Sequence, residues 1–154
     1  MASADPVNLR SAQTIVAIGA GVTTGEAFTL VRQLAECLRA SIAGTRPALD
    51  RGFITREQMI GATGATVRPD VYIAIGISGA SQHLSGMDAA ATIIAINRDP
   101  EAPIVRVADH AIIGNLSDIV PRLIDACRNG ATIDAMVTQF SEKASDGQLL
   151  HRQR

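Results

Sequence analysis

A chain of 154 residues with 47% hydrophobic and 19% charged side chains has enough apolar surface to close one core, which excludes both a disordered chain and two full domains. Fourteen Lys and Arg against fifteen Asp and Glu leave a net charge of -1 and no broad basic face for a nucleic acid. Cys37 and Cys127, ninety positions apart with no CxxC or neighbouring His pair, exclude a zinc site and a disulfide framework, and no apolar run nears the ~20 residues that span a bilayer. The acidic N-terminus carries no apolar leader, so the expectation is a soluble cytoplasmic protein, or a mitochondrial matrix protein in a eukaryote. The expected layout is a lead-in over residues 1–13, a single domain over 14–130, and a helix with a frayed tail over 131–154.

Apolar residues alternate between short β-branched runs and helical stripes, which predicts an α/β fold with a parallel sheet and helices on both faces. TIVAI at 14–18 is the first strand and runs into the turn-rich GAGVTTG at 19–25. Phe28, Val31, Leu34, Ala35 and Leu38 then set one apolar face of a helix about fifteen residues long. Residues 41–45 form the next strand, and 46–64 is a loop excursion with at most one or two helical turns. VYIAI at 71–75 is the strongest strand and opens into GISGASQHLSG at 76–86, a tight turn aimed at a helix start. TIIAI at 92–96, IVRV at 104–107 and AII at 111–113 are three further strands, with NRDP at 97–100 as punctuation. Asn115 or Ser117 caps a helix carrying Ile119, Leu123, Ile124 and Cys127, with Pro121 in its first regular turn and Asn129-Gly130 as its stop. An amphipathic segment follows from Thr132, and the chain turns polar and frayed from Lys143. Glu26, Asp88 and Asp118 fall near helix starts, where an acid gains from the helix dipole.

Gly19, Ala20 and Gly21 have the G-x-G spacing of a phosphate turn, but the third glycine comes one position late. Thr45 also stands where a dinucleotide site would offer an acid to the ribose, so glycines that merely turn the chain account for the motif equally well. Gly76 to Ala80 is better suited, because glycines let backbone approach a ligand and the free N–H groups at a helix start attract an anion such as phosphate. Ser78 is not in a G-x-S-x-G setting, and His83 lies five positions on, which argues against serine-hydrolase chemistry. Taken alone, His83 is better explained by a structural role, and His110 and His151 are assigned surface or structural roles.

The segments PDVYIAIGISGASQHLSGM at 69–87, IAINRDPEAPI at 94–104 and VADHAIIGNL at 107–116 closely resemble the FAD-binding C-terminal domain of electron transfer flavoprotein alpha subunits. The resemblance extends through GEAF at 25–28, IAGTRPALDRGF at 42–53 and IGATG at 60–64, and so covers roughly residues 14 to 125. It implies a Rossmann-like parallel sheet whose strand ends hold FAD, with the pyrophosphate at the Ser78-Gly79 helix start. By the same resemblance Thr45 lies near the phosphates, Arg46 against the flavin ring, Thr63 beside flavin N5 and His83 at the C2 carbonyl. Ile60 and Gly61 line the cofactor, while Ser78, Gly79, Ala80, Ser81 and Gln82 form the phosphate and ribityl turn. Asn97, Asn115 and Leu116 serve the adenosine half.

The same comparison implies an electron carrier rather than a catalyst, taking electrons from acyl-CoA-type or other flavin dehydrogenases and passing them to a membrane quinone reductase beside a beta-like subunit. Four positions depart from the family pattern: Ala20 for Arg, Ala62 for Gln, Ala65 for Lys and Asn115 for Asp. Each charge-assisted hydrogen bond lost is worth about 1.5–3 kcal/mol, which implies weakened FAD binding and keeps AMP, ADP or NAD in a regulatory or interaction module as the alternative.

Overall fold

Strands β1 (Thr14–Ile18), β2 (Ser41–Gly44), β3 (Val71–Ile75), β4 (Thr92–Asn97), β5 (His110–Ile113) and β6 (Gln148–His151) form one sheet in the order β2-β1-β3-β4-β5-β6. The first five are parallel and β6 pairs antiparallel with β5. The computed structural model describes residues 6–61, 64–87, 89–140 and 148–151. The chain builds outward from β1 to β2 and then returns to β1's other side with β3, so the direction of winding reverses between β1 and β3. In a doubly wound sheet, that reversal opens a crevice at the carboxyl ends of the strands.

Helices α1 (Gly25–Leu38), α5 (Leu116–Arg128) and α6 (Ile133–Thr138) cover one face. There Val31, Leu34, Ile119 and Leu123 meet Val16, Ile18, Ile73, Ile75, Ile94, Ile96 and Ile112 of the sheet. Each such fully buried aliphatic side chain contributes about 1.5–3 kcal/mol. Thr24 caps α1 by accepting from the Ala27 N–H at 3.1 Å, and Asn115 caps α5 by accepting from Ser117.

The opposite face carries a row of small residues. Ala43, Ala17, Ala74, Ala95 and Ala111 sit side by side in register across β2, β1, β3, β4 and β5. A row without bulk lets the elements on this side lie close to the sheet, and Ile60, Ile77, Met87 and Ile104 pack there. Two short helices, α2 (Arg46–Asp50) and α3 (Ser81–Met87), follow β2 and β3, and a 3-10 turn at Arg56–Gln58 completes the excursion before β3.

Three expectations are corrected. Residues 104–107 are not a strand but lie in helix α4 (Pro103–Val107), with Pro103 in its first turn. Because β4 and β5 are parallel neighbours, the chain between them must cross over, and an apolar IVRV run can bury its residues as one helical turn as readily as a strand. Pro121 lies inside α5, beyond its first turn. Residues 148–151, expected to fray, form edge strand β6 with Leu149 buried, while 141–147 and 152–154 lie outside the described residues. Cys37 and Cys127, far apart in sequence, are neighbours across the α1–α5 contact, and both thiols are free. Burial, with Cys37 alongside, pushes the Cys127 thiol up to about 11. Glu26 and Asp118 occupy first turns of α1 and α5, and Asp88 lies outside the described residues.

Candidate functional site

The carboxyl ends of β1 and β3 carry the two glycine turns, and the turns are bonded to each other. Gly19 N–H donates to Ile75 O at 3.1 Å and Gly21 N–H to Gly76 O at 2.9 Å. A Cβ on Gly21 would lie 2.7 Å from Gly76 Cα, so the first glycine pair is needed for backbone-on-backbone packing as well as for turning. Gly79 adopts φ +89°, and a Cβ there would meet Ile104 N at 2.5 Å. Two of the turn's carbonyls are engaged within the protein: Ile77 O accepts from Asn97 Nδ2 at 2.8 Å and Ser78 O from Ile104 N–H at 2.9 Å. The N–H groups of Ser78, Gly79 and Ala80 have no hydrogen-bond partner among the described residues.

Two cavities flank this turn. The first, about 220 Å³, has Thr45, Arg46, Ile60, Gly61, Ser78 and His83 in its wall. The second, about 200 Å³, is lined by Gly76, Ser78, Asn97, Arg98, Gly114 and Leu116 among others. Ala20 and Ser78 belong to both walls, so the cavities meet at the Ser78 turn.

His83 is both in the cavity wall and 95% buried, with a relative exposure of 5%. Its Nε2 lies 2.8 Å from the hydroxyl of Tyr72, itself fully buried. Its Nδ1 is sealed from solvent and has no hydrogen-bond partner. Burial lowers the imidazole to about 4, with the Ile60 backbone acting weakly the other way, so the ring is neutral at pH 7. A neutral imidazole offers a hydrogen bond, not a positive charge. Burial also holds the Tyr72 phenol well above its ordinary value.

A family model described as the electron transfer flavoprotein FAD-binding domain matches residues 8–88. The chain belongs to this electron transfer flavoprotein family. It is 45% identical over 119 residues to the electron transfer flavoprotein subunit alpha of Thermoanaerobacterium thermosaccharolyticum, covering 77% of this chain and 36% of that one. It is 47% identical over 123 residues to the Bacillus subtilis subunit alpha, covering 80% and 38%. Against the mitochondrial subunit alpha of Dictyostelium discoideum it is 44% identical over 120 residues, covering 78% and 34%. The chain therefore spans about a third of the length of these relatives.

Of the positions that resemble the electron transfer flavoprotein site, the first cavity gathers Thr45, Arg46, Ile60, Gly61, Ser78, Gly79, Ala80 and His83. Arg46 reaches that wall while its Nε donates to Asp50 Oδ1 at 3.1 Å, both side chains largely exposed. The second gathers Ser78, Asn97 and Leu116. Asn115 stands outside both walls, its side-chain oxygen engaged as the cap of α5. Ser81 and Gln82 form the start of α3, and Thr63 lies outside the described residues, as does Ala62. His110 and His151 are register partners across β5 and β6, and His110 is in neither cavity wall.

Two residues that shape the site escaped the sequence reading. Arg51, at the end of α2, donates through Nη1 to the carbonyls of Ala20 at 2.7 Å and Val22 at 3.1 Å, tying α2 to the first glycine turn. Its partner carbonyls are backbone groups about thirty residues upstream, which no side-chain pattern marks. Tyr72 reads in sequence as one residue of a β-branched strand, and its tie to His83 depends on a strand residue facing a helix eleven positions later.

Proposed function

We propose that this chain holds FAD across the two cavities, with the diphosphate at the Ser78 turn, the flavin in the first cavity and the adenosine in the second. The observation that carries this reading is the junction: two cavities of about 220 and 200 Å³ share Ala20 and Ser78. Either alone falls below the ~300–1,000 Å³ of ordinary ligand pockets, whereas a dinucleotide is long enough to occupy both. The residues present fit the group. Unpaired N–H groups of Ser78, Gly79 and Ala80 suit a phosphate, and an orphaned buried nitrogen of His83 suits a ring acceptor.

When bound, FAD would supply the reversible uptake and release of electrons. The protein's part is to hold the ring, exclude water around Ile60, Gly61 and His83, and set the local polarity with Arg46 and a neutral His83. We further propose that the carrier works beside a beta-like subunit, takes electrons from acyl-CoA-type or other flavin dehydrogenases, and passes them to a quinone reductase, in the cytoplasm or the mitochondrial matrix. This is supported by the subunit alpha relatives alone. Among the described residues no helix is long and apolar enough to cross a membrane.

Ala20 brings no donor to the junction that both cavities share. FAD retention is therefore expected to be partial on purification. The test is to denature freshly purified protein and identify the released ligand by chromatography and absorbance. FAD supports the proposal; an adenine nucleotide without flavin, from protein that takes up no added FAD, overturns it.

A further inference from the structure

The proton arrangement between Tyr72 and His83 has consequences for what the first cavity can bind. Tyr72 is the second residue of β3, flanked in register by Ile15 and Ile93, with its ring on the small-residue face of the sheet. Its hydroxyl has one hydrogen-bond partner among the described residues, Nε2 of His83 at 2.8 Å. His83 Nδ1 has none. The two rings are tilted at 52° with centroids 5.9 Å apart, an arrangement of edge contact through the hydrogen bond and not of stacking.

A neutral imidazole carries one ring proton, and the pair has two ways of placing it. With the proton on Nε2, that N–H donates to the phenol oxygen. The phenol's own O–H is then a buried donor without an acceptor among the described residues, and Nδ1 is a buried acceptor without a donor. With the proton on Nδ1, the phenol O–H donates to Nε2 and a single N–H is left unpaired. The first arrangement strands two polar groups and the second strands one donor, and each stranded group carries a desolvation cost. The Ile60 backbone favours a proton on the ring against the larger effect of burial, without meeting hydrogen-bond geometry at Nδ1. Charging the ring would turn Nε2 into a donor and leave the phenol O–H without an acceptor, which, with burial, keeps the imidazole neutral.

We propose that Tyr72 is a positioning residue of the site: its buried phenol donates to His83 Nε2, fixing the imidazole as the neutral Nδ1–H tautomer and reserving that N–H for an acceptor on the occupant of the first cavity. The identity of that acceptor, a carbonyl oxygen on the edge of a flavin ring, rests on the FAD reading above. The tautomer itself does not. A fixed neutral donor favours an occupant whose edge accepts hydrogen bonds and disfavours one that presents an amino group there, since two donors cannot pair. Tyr72 thereby contributes to ligand choice without touching the ligand.

The test uses the full chain labelled with ¹⁵N-histidine. Two-bond ¹H–¹⁵N correlation spectra of the ligand-free protein at pH 7 read which nitrogen of His83 carries the proton. The expected result is a protonated Nδ1 and a bare Nε2 in the native protein, and a mixed or Nε2-protonated ring in Tyr72→Phe. FAD titration of the same two proteins should show a loss of about fivefold in affinity for Tyr72→Phe, the scale of one hydrogen bond made less available, with AMP affinity unchanged. A native ring protonated on Nε2 overturns the proposal, as does a Tyr72→Phe protein whose tautomer and FAD affinity match the native ones. If Tyr72→Phe does not fold, the tautomer of the native protein alone decides. Should the native protein show the Nδ1–H tautomer yet bind no FAD, the flavin reading fails while the Tyr72–His83 assignment stands.

Discussion

Adding one methyl group at Gly79 measures how tightly the ligand turn is packed, and Gly52 provides the matched control. Both residues have a left-handed backbone, φ +89° at Gly79 and +81° at Gly52. A Cβ at Gly52 meets nothing within 4 Å, so Gly52→Ala registers only the conformational penalty, about 1–2 kcal/mol. A Cβ at Gly79 would lie 2.5 Å from Ile104 N and 2.8 Å from Ile104 Cα, backbone atoms that cannot rotate aside. Relief requires the turn and the start of α4 to separate, stretching the 2.9 Å bond from Ile104 N–H to Ser78 O. Overpacking of this kind adds about 1–3 kcal/mol, which brings Gly79→Ala to a total of about 2–5 kcal/mol. In a chain of this size each kcal/mol lowers Tm by about 2–4 °C. Urea unfolding followed by circular dichroism, with the slope checked for constancy between variants, gives the difference directly. Equal losses at Gly79 and Gly52 would refute the reasoning, because they would mean that the turn and α4 are not in contact.

Three further outcomes follow from burial. His83 is lowered to about 4 in the folded chain against about 6.5 unfolded, so the unfolded state takes up the proton first as pH falls. Stability should be full above pH ~6.5 and decline by about 3 kcal/mol as pH falls to ~4, and His83→Gln should flatten that part of a Tm-against-pH profile; an unchanged slope in the variant contradicts it. Leu149 is 3% exposed on edge strand β6, so Leu149→Ala should cost about 2–3 kcal/mol in urea unfolding, whereas a silent substitution would mean that β6 is not docked. With its thiol at about 11 beside Cys37, Cys127 should react with a disulfide reagent at pH 8 roughly tenfold more slowly than an ordinary thiol, its scarcer thiolate partly offset by greater nucleophilicity, as read by mass mapping of the modified cysteines in the otherwise native protein; reaction at the ordinary rate would contradict it.

The sheet was legible because its strands are short apolar runs closed by glycine or polar residues. β1 and β3 have the predicted bounds, 14–18 and 71–75. The run at 104–107 reads as a strand because periodicity over four residues does not separate a buried strand from one helical turn, and Pro103 is the available sign of a helix start. β6 was missed because its pairing depends on β5 offering an open edge, which is a property of the assembled sheet. In the site, glycine spacing and the run from Ser78 to His83 marked the turn between the cavities. Arg51 and Tyr72 stayed hidden because both act through partners distant in the chain, one a pair of backbone carbonyls and the other a ring on the next helix. The same holds for the meeting of Cys37 and Cys127, which only the packing of α1 on α5 creates.

The proposed function requires that one dinucleotide span both cavities. Equilibrium dialysis of the intact chain against FAD, FMN and AMP separately measures this without reference to any partner protein. If the Ser78 turn joins the two halves of one site, each half of FAD raises the effective concentration of the other. FAD should then bind at least ~100-fold more tightly than FMN or AMP. AMP or FMN binding as tightly as FAD would contradict the account, because it would mean that the cavities on either side of Ser78 act as separate sites.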